Sequence, residues 1–124
     1  MDIIISNASG VPIYEQIVRQ IKGLILSEEL KEGEALPSIR LLARELRISV
    51  ITTKRAYEEL ERDGFATTVP GKGCFVAPQN RETRREAVLC QIEEHLSQAV
   101  DAARAGAVGL GELTEMLAAL YKEE

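Results

Sequence analysis

The chain has 124 residues and no tryptophan, and aromatic residues make up only 4% of it. So few rings disfavour a carbohydrate platform or an aromatic cage and suit helix-rich packing instead. There is one histidine, His95, so no site built on two histidines can exist. It lies in a helical stretch full of acids and reads as a surface or interface residue rather than a ligand. The two cysteines, Cys74 and Cys90, fall in different elements with no ligand spacing around them. They read as two free thiols in a reducing compartment. There is no glycine-rich phosphate loop and no Ser/His/Asp set, so no catalytic residue, metal ligand or cofactor is expected. No apolar run approaches the roughly 18–20 residues that cross a bilayer. The opening "MDIIISNASG" has neither the basic region nor the apolar run of a secretion signal. The expectation is a soluble cytoplasmic protein with no membrane partner.

What is present is a globular amount of apolar residue, 45%, and an uneven charge distribution. The net charge of −5 argues at first against a nucleic-acid partner. Between Leu36 and Tyr57, however, stand five bases (Arg40, Arg44, Arg47, Lys54, Arg55) and one acid, Glu45, a local net of +4. Residues 81–124 hold nine acids and five bases, a net of −4. A basic stripe on an acidic chain is a local electrostatic footprint.

The periodicity sets out the elements. "VPIYEQIVRQIKGLILSEEL" reads as a helix opened by Pro12, with Ile13, Ile17, Ile21, Leu24 and Ile25 on one face. "KEGEALPS" breaks it and leaves room for a short strand near Ala35–Leu36. A second helix runs from Ser38 to about Leu46, burying Ile39, Leu42, Ala43 and Leu46. The turn "RIS" leads to a third helix with Ser49 as N-cap, buried Thr53, Ala56, Tyr57 and Leu60, and Gly64 as a left-handed terminator. "FATTV" and "CFVA" then flank the turn "PGKG" as a hairpin. Helix, short strand, helix, tight turn, helix and hairpin make a winged helix-turn-helix over residues 1–78. Residues 79–85 read as a polar linker. Beyond them Leu89, Ile92, Leu96, Ala99 and Ala103 recur at steps of three and four, and Leu110, Leu113, Leu117 and Leu120 continue the alternation. Residues 79–124 thus form a two-helix tail, and the fold class is mainly α with a small β-wing.

At 100° per residue, Arg40, Arg44 and Arg47 project away from the buried face of the second helix. On the third, Ile51, Arg55 and Glu58 point outward, flanked by Thr52 and Lys54. A helix pair whose second member enters a major groove needs such a surface. Arginines on the first member meet phosphates, which give affinity without sequence information. Small and β-branched residues at the start of the reading helix allow close approach: Thr52 can bond a base edge, and Ile51 can touch a thymine methyl. Lys72, between two glycines, would carry a cation at the tip of the wing. Each feature also has a plainer reading as a solvated face, an ordinary hairpin turn or a helix packed on its own domain. The two tail stripes favour pairing with a second copy, because a two-helix hairpin cannot bury both unaided.

These residues resemble the DNA-binding domain of GntR-family bacterial transcription regulators. The resemblance is carried by "G-x-x-LPS-x-R-x-LA", "T-x-x-x-A-Y-x-x-LE-x-x-GF" and "GKG-x-FV". The short helical tail is similar to that of the YtrA subfamily, whose tail serves dimerisation and whose members often regulate transporter operons that include their own gene. The resemblance implies a homodimeric repressor on an inverted-repeat operator in double-stranded DNA. The candidate DNA-contact set is Ser38, Arg40, Arg44, Arg47, Ser49, Ile51, Thr52, Lys54, Arg55, Lys72 and Gly73. The candidate dimer interface is Leu89, Ile92, Leu96, Ala99, Ala103, Leu113, Leu117 and Leu120. The chain departs from many relatives at Val50 and Ile51, where they carry polar or basic residues, and at Arg47, where they often carry glycine. The alternative is a winged-helix protein-interaction module that reads no DNA, which would have no reason to keep the basic stripe on one surface.

Overall fold

The computed structural model describes residues 1–123. Five helices and one small sheet follow in the order α1 (Ile13–Leu26), α2 (Ile39–Leu46), α3 (Val50–Arg62), β1 (Ala66–Val69), β2 (Gly73–Val76), α4 (Arg81–Ala105) and α5 (Leu110–Lys122). They divide into two compact units, Met1–Arg84 and Arg85–Glu124, a few residues beyond the break expected after Pro78.

In the first unit, α1 and α2 both pack on α3. Ile17 and Ile21 of α1, Leu42 of α2 and Leu60 of α3 are fully buried, as the helical spacing requires. Ile13, Leu24, Ile39 and Leu46, expected in the same faces, are only half-buried. Thr53 is the one buried polar residue among those described, and its hydroxyl donates to the Ser49 carbonyl one turn earlier, at 3.1 Å. The Tyr57 hydroxyl donates to the Pro37 carbonyl at 2.7 Å, tying α3 to the chain that enters α2. Burial pushes its pKa above the ordinary tyrosine range, so the phenol stays a donor.

α1 stops at Leu26, four residues short of the pattern that ran on to Leu30. Glu28 takes a left-handed φ of 65°, and the Leu30 amide turns back to the Leu24 carbonyl at 3.0 Å. The helical spacing survives in "SEEL" because Leu30 is still buried, but in a turn. β1 and β2 pair antiparallel, Ala66 opposite Val76 and Val69 opposite Gly73. The short strand expected near Ala35 is a single bridge to Phe75, flanked by Leu36 N–H to Cys74 O and Val76 N–H to Glu34 O, both 2.9 Å. Lys22 and Asp63 join the end of α3 to α1 at 2.8 Å, and the lysine's hydrogen bond holds that carboxyl below its ordinary pKa.

Two features carry no apolar signal and escaped the periodicity. The Gln20 side-chain amide bonds both the N–H and the carbonyl of Ile4, at 2.9 and 2.7 Å, and Gln16 does the same for Ser6 at 2.8 Å each. Two glutamines thus bond the backbone of Ile4 and Ser6 much as a neighbouring strand would, and tie this segment to α1. Residues 81–85, read as linker, belong to α4, whose first turn Asn80 caps by accepting from the Glu82 N–H at 2.8 Å. Arg84 of that helix donates to the Leu26 carbonyl at the end of α1, so its charge has a structural partner.

The second unit holds most of α4, the turn Gly106–Gly109 and α5. Ala107 turns the chain with φ 57°, and the Val108 N–H returns to the Ala103 carbonyl at 2.8 Å.

Candidate nucleic-acid interface

Two serines start the helices that carry the basic stripe. Ser38 Oγ accepts from the Leu41 N–H and Ser49 Oγ from the Thr52 N–H, each at 3.1 Å. Each cap satisfies one of the free donors of a first helical turn. Ser49 Oγ also donates to Thr52 Oγ1 at 2.8 Å, which orients that hydroxyl and leaves its own proton for another acceptor. Both serines therefore serve the backbone first: Ser49 has also given its proton to Thr52, whereas Ser38 keeps its proton for an outside acceptor.

Between α2 and α3 the chain turns at Arg47 with φ 57° and ψ 49°. The departure from glycine noticed in the sequence thus falls on a left-handed residue, and the Cβ there costs about 1–2 kcal/mol. The turn brings Arg40, Arg44, Arg47, Lys54 and Arg55 out as exposed side chains. Among the described residues, none of the five stands within ion-pair distance of a carboxylate, whereas Lys22, Arg62 and Arg84 are all paired. The stripe is thus uncompensated positive charge on the surface of the unit. Ile51 is 81% exposed at the head of α3, with Val50 beside it at 48%. Thr52 is half-buried. Arg55 lies over the ring of Tyr14, its Cζ 3.9 Å from the centroid, a partner that sequence spacing does not reveal.

The hairpin projects from the same unit. The Lys72 N–H closes the turn to the Val69 carbonyl at 2.9 Å, and Gly71 and Gly73 take φ 76° and 123°. Those two angles are ones a side chain resists, so Lys72 is presented between two positions that have to stay glycine. Lys72 and Gly73 are exposed. A cleft of about 520 Å³ separates the start of α2 from the hairpin. Arg40 and Lys54 stand on its walls with Pro37, Ile39, Tyr57 and Cys74. Burial raises the Cys74 pKa, so this wall carries a neutral thiol. The other cysteine, Cys90, is exposed and also free. Among the described residues no group of three His, Cys, Asp or Glu side chains could hold a metal ion, and no helix is long and apolar enough to cross a membrane.

The second unit gathers the other candidate set. Leu89, Ile92, Leu96, Leu117 and Leu120 are exposed, and Ala99 and Leu113 are half-buried. Ala103 differs: it is already 91% covered within the chain, since its small side chain sits where α4 gives way to the turn.

Comparison with known proteins follows this division. Residues 13–76, the span from α1 to β2, match the family model for bacterial regulatory proteins of the gntR family. The HTH-type transcriptional repressor YtrA of Bacillus subtilis is 37% identical over 113 residues, which cover 91% of this chain and 87% of that protein. A transcriptional antiterminator from Listeria monocytogenes EGD-e superposes with a TM-score of 0.74 at 33% identity, covering 99% of this chain and 91% of the other. The GntR-family transcription factor YtrA from Sulfolobus acidocaldarius superposes with a TM-score of 0.61 at 37% identity, over 77% and 97% of the two chains. Those proteins are regulators of transcription rather than enzymes. With its winged helix-turn-helix and its YtrA-like short tail, the chain belongs to the gntR family of bacterial DNA-binding transcription regulators.

Proposed function

We propose that this protein is a homodimeric cytoplasmic repressor that reads an inverted-repeat operator through α3, with its target a transporter-type operon that includes its own gene. One observation carries the DNA-reading part: Arg40, Arg44, Arg47, Lys54 and Arg55, exposed and without a carboxylate partner, lie on α2, the turn and α3, and α3 also carries the exposed Ile51 and the half-buried Thr52 in its first turn. Cations release counterions from phosphate, and the two uncharged side chains offer a methyl contact and a directed hydroxyl to base edges. Ser38 and Ser49 hold the two helix starts, and Lys72 and Gly73 bring the wing to an adjacent phosphate or minor groove. The open apolar faces of α4 and α5 support the paired state, and twofold protein symmetry would match twofold DNA. The repressor sign rests on likeness to the transcriptional repressor YtrA of Bacillus subtilis, and the transporter-type operon on the resemblance of the short tail to the YtrA subfamily.

The test is selection of duplexes by the purified chain from a random pool, followed by footprinting on the DNA upstream of its own gene. An inverted repeat should be enriched, and a match to it should be protected upstream. A pool with no enrichment, or enrichment of single half-sites only, overturns the reading.

A further inference from the structure

Arg55 is the one cation of the stripe with an aromatic partner. Its guanidinium lies 3.9 Å over the Tyr14 ring centroid, and Nη2 donates to the Tyr14 hydroxyl at 3.2 Å. The hydroxyl in turn donates to Glu15 Oε1 at 3.4 Å, and Glu15 faces Arg19 through its other oxygen at 3.6 Å. Tyr14 stands half-buried in the first turn of α1, so a helix outside the helix-turn-helix reaches across to the reading helix.

The chemistry of this hold matters. A carboxylate would fix Arg55 equally well but would cancel its charge. An aromatic face and a hydroxyl fix it and leave the cation whole, with most of its five N–H donors still free. A long side chain held in this way also loses less rotamer freedom when it meets a ligand than one that swings in solvent. We propose that Tyr14 is a positioning residue for DNA contact: it pre-orients the Arg55 guanidinium on the α1 side of α3 toward a backbone phosphate. The inference rests on the DNA-reading assignment of that face and adds to it a residue outside the helix-turn-helix.

The experiment measures equilibrium binding of the full chain to the duplex enriched in the selection above, across a range of salt. It uses Tyr14→Leu and Tyr14→Met, each alone and combined with Arg55→Gln. Arg55→Gln should lower the slope of log affinity against log salt by about one. Tyr14→Leu should weaken binding about three- to tenfold while Arg55 is present, and by less than about twofold in the Arg55→Gln background. Tyr14→Met keeps side-chain bulk without a ring, and should repeat the result if the leucine variant folds poorly. Rescue by Tyr14→Phe, which keeps the ring, is expected to restore most of the affinity. Equal losses in the two Arg55 backgrounds, or no loss in either, overturn the proposal. The DNA-reading assignment fails separately and earlier, when no duplex is enriched.

Discussion

The two units of this chain treat their apolar residues in opposite ways. In Met1–Arg84 the inner faces of α1, α2 and α3 are covered, with Ile17, Ile21 and Leu60 at 0% exposure, and among the large aliphatics of these helices Leu41, Val50 and Ile51 stay out. In Arg85–Glu124 the comparable side chains stay out: Leu96, the most covered of the exposed leucines there, is still 43% exposed, and Leu120 is 66% exposed. The first unit has three helices and a hairpin around one centre, so each apolar face meets another. The second has two helices and no further layer. One unit completes its core and leaves its charge unsatisfied, whereas the other carries little local chemistry and leaves its core unsatisfied. The partners proposed above would fill the two deficits, DNA the first and a second copy the second.

The largest expected effect comes from blocking the second deficit. Leu96→Glu combined with Leu117→Glu puts four carboxylates into the proposed seam of a dimer. The chain should sediment as a monomer, and operator affinity should fall by about 10²–10⁴-fold as the second half-site loses its linked partner. A variant that still sediments as a dimer would remove these faces from the interface. Next comes the completed core. Leu60→Ala should cost about 2–5 kcal/mol in urea unfolding, as a buried leucine does when its cavity cannot collapse. A loss below about 1 kcal/mol, close to the scale of an ordinary surface change, would mean that α1 and α3 are not packed as described.

The charged face should separate two kinds of contact. Thr52→Ala keeps the backbone N–H that Ser49 caps, so the helix start survives and only the directed hydroxyl and methyl are lost. It should cost about 1–3 kcal/mol on the operator and little on random DNA. Equal losses on both would make Thr52 a phosphate contact or a structural one. Arg40→Ala should weaken both DNAs alike and lower the salt slope by about one, as a lost phosphate contact does. An unchanged slope would take Arg40 out of the interface.

Much of this was legible in the sequence because apolar periodicity and turn chemistry are local signals. Steps of three and four placed the buried faces of α1, α2 and α3, and Ser49 and Gly64 marked the ends of α3. The basic stripe was legible for the same reason, since its members lie on the faces opposite those buried sets. What stayed hidden depends on side chains that reach over long sequence distances. Tyr14 and Arg55 are 41 positions apart, as are Lys22 and Asp63, and neither pair has a spacing rule. Arg84 looked like one charge in a polar linker, and its role as a cap on α1 exists only once α4 starts at Arg81. Leu30 misled in the other direction, because burial in a turn copies the spacing of burial in a helix.

The smallest effect concerns Arg47, where stability and binding should move apart. As a non-glycine residue at φ 57° it carries a steric cost of about 1–2 kcal/mol. Glycine would relieve that cost but gives back roughly 0.5–1 kcal/mol through the extra freedom of the unfolded chain. Arg47→Gly should therefore raise unfolding stability by about 0.5–1 kcal/mol, the surplus of the steric relief over the chain-freedom loss. The same change removes an exposed, unpaired guanidinium from the link between α2 and α3. If that guanidinium meets a phosphate, operator affinity falls and the salt slope drops by about one. Urea unfolding and salt-dependent binding on one variant thus test both parts. A stability loss would show that the Arg47 side chain packs usefully where it stands. An unchanged slope with improved stability would make Arg47 a strained residue that contributes nothing to the DNA face, and the turn would then be better served by glycine.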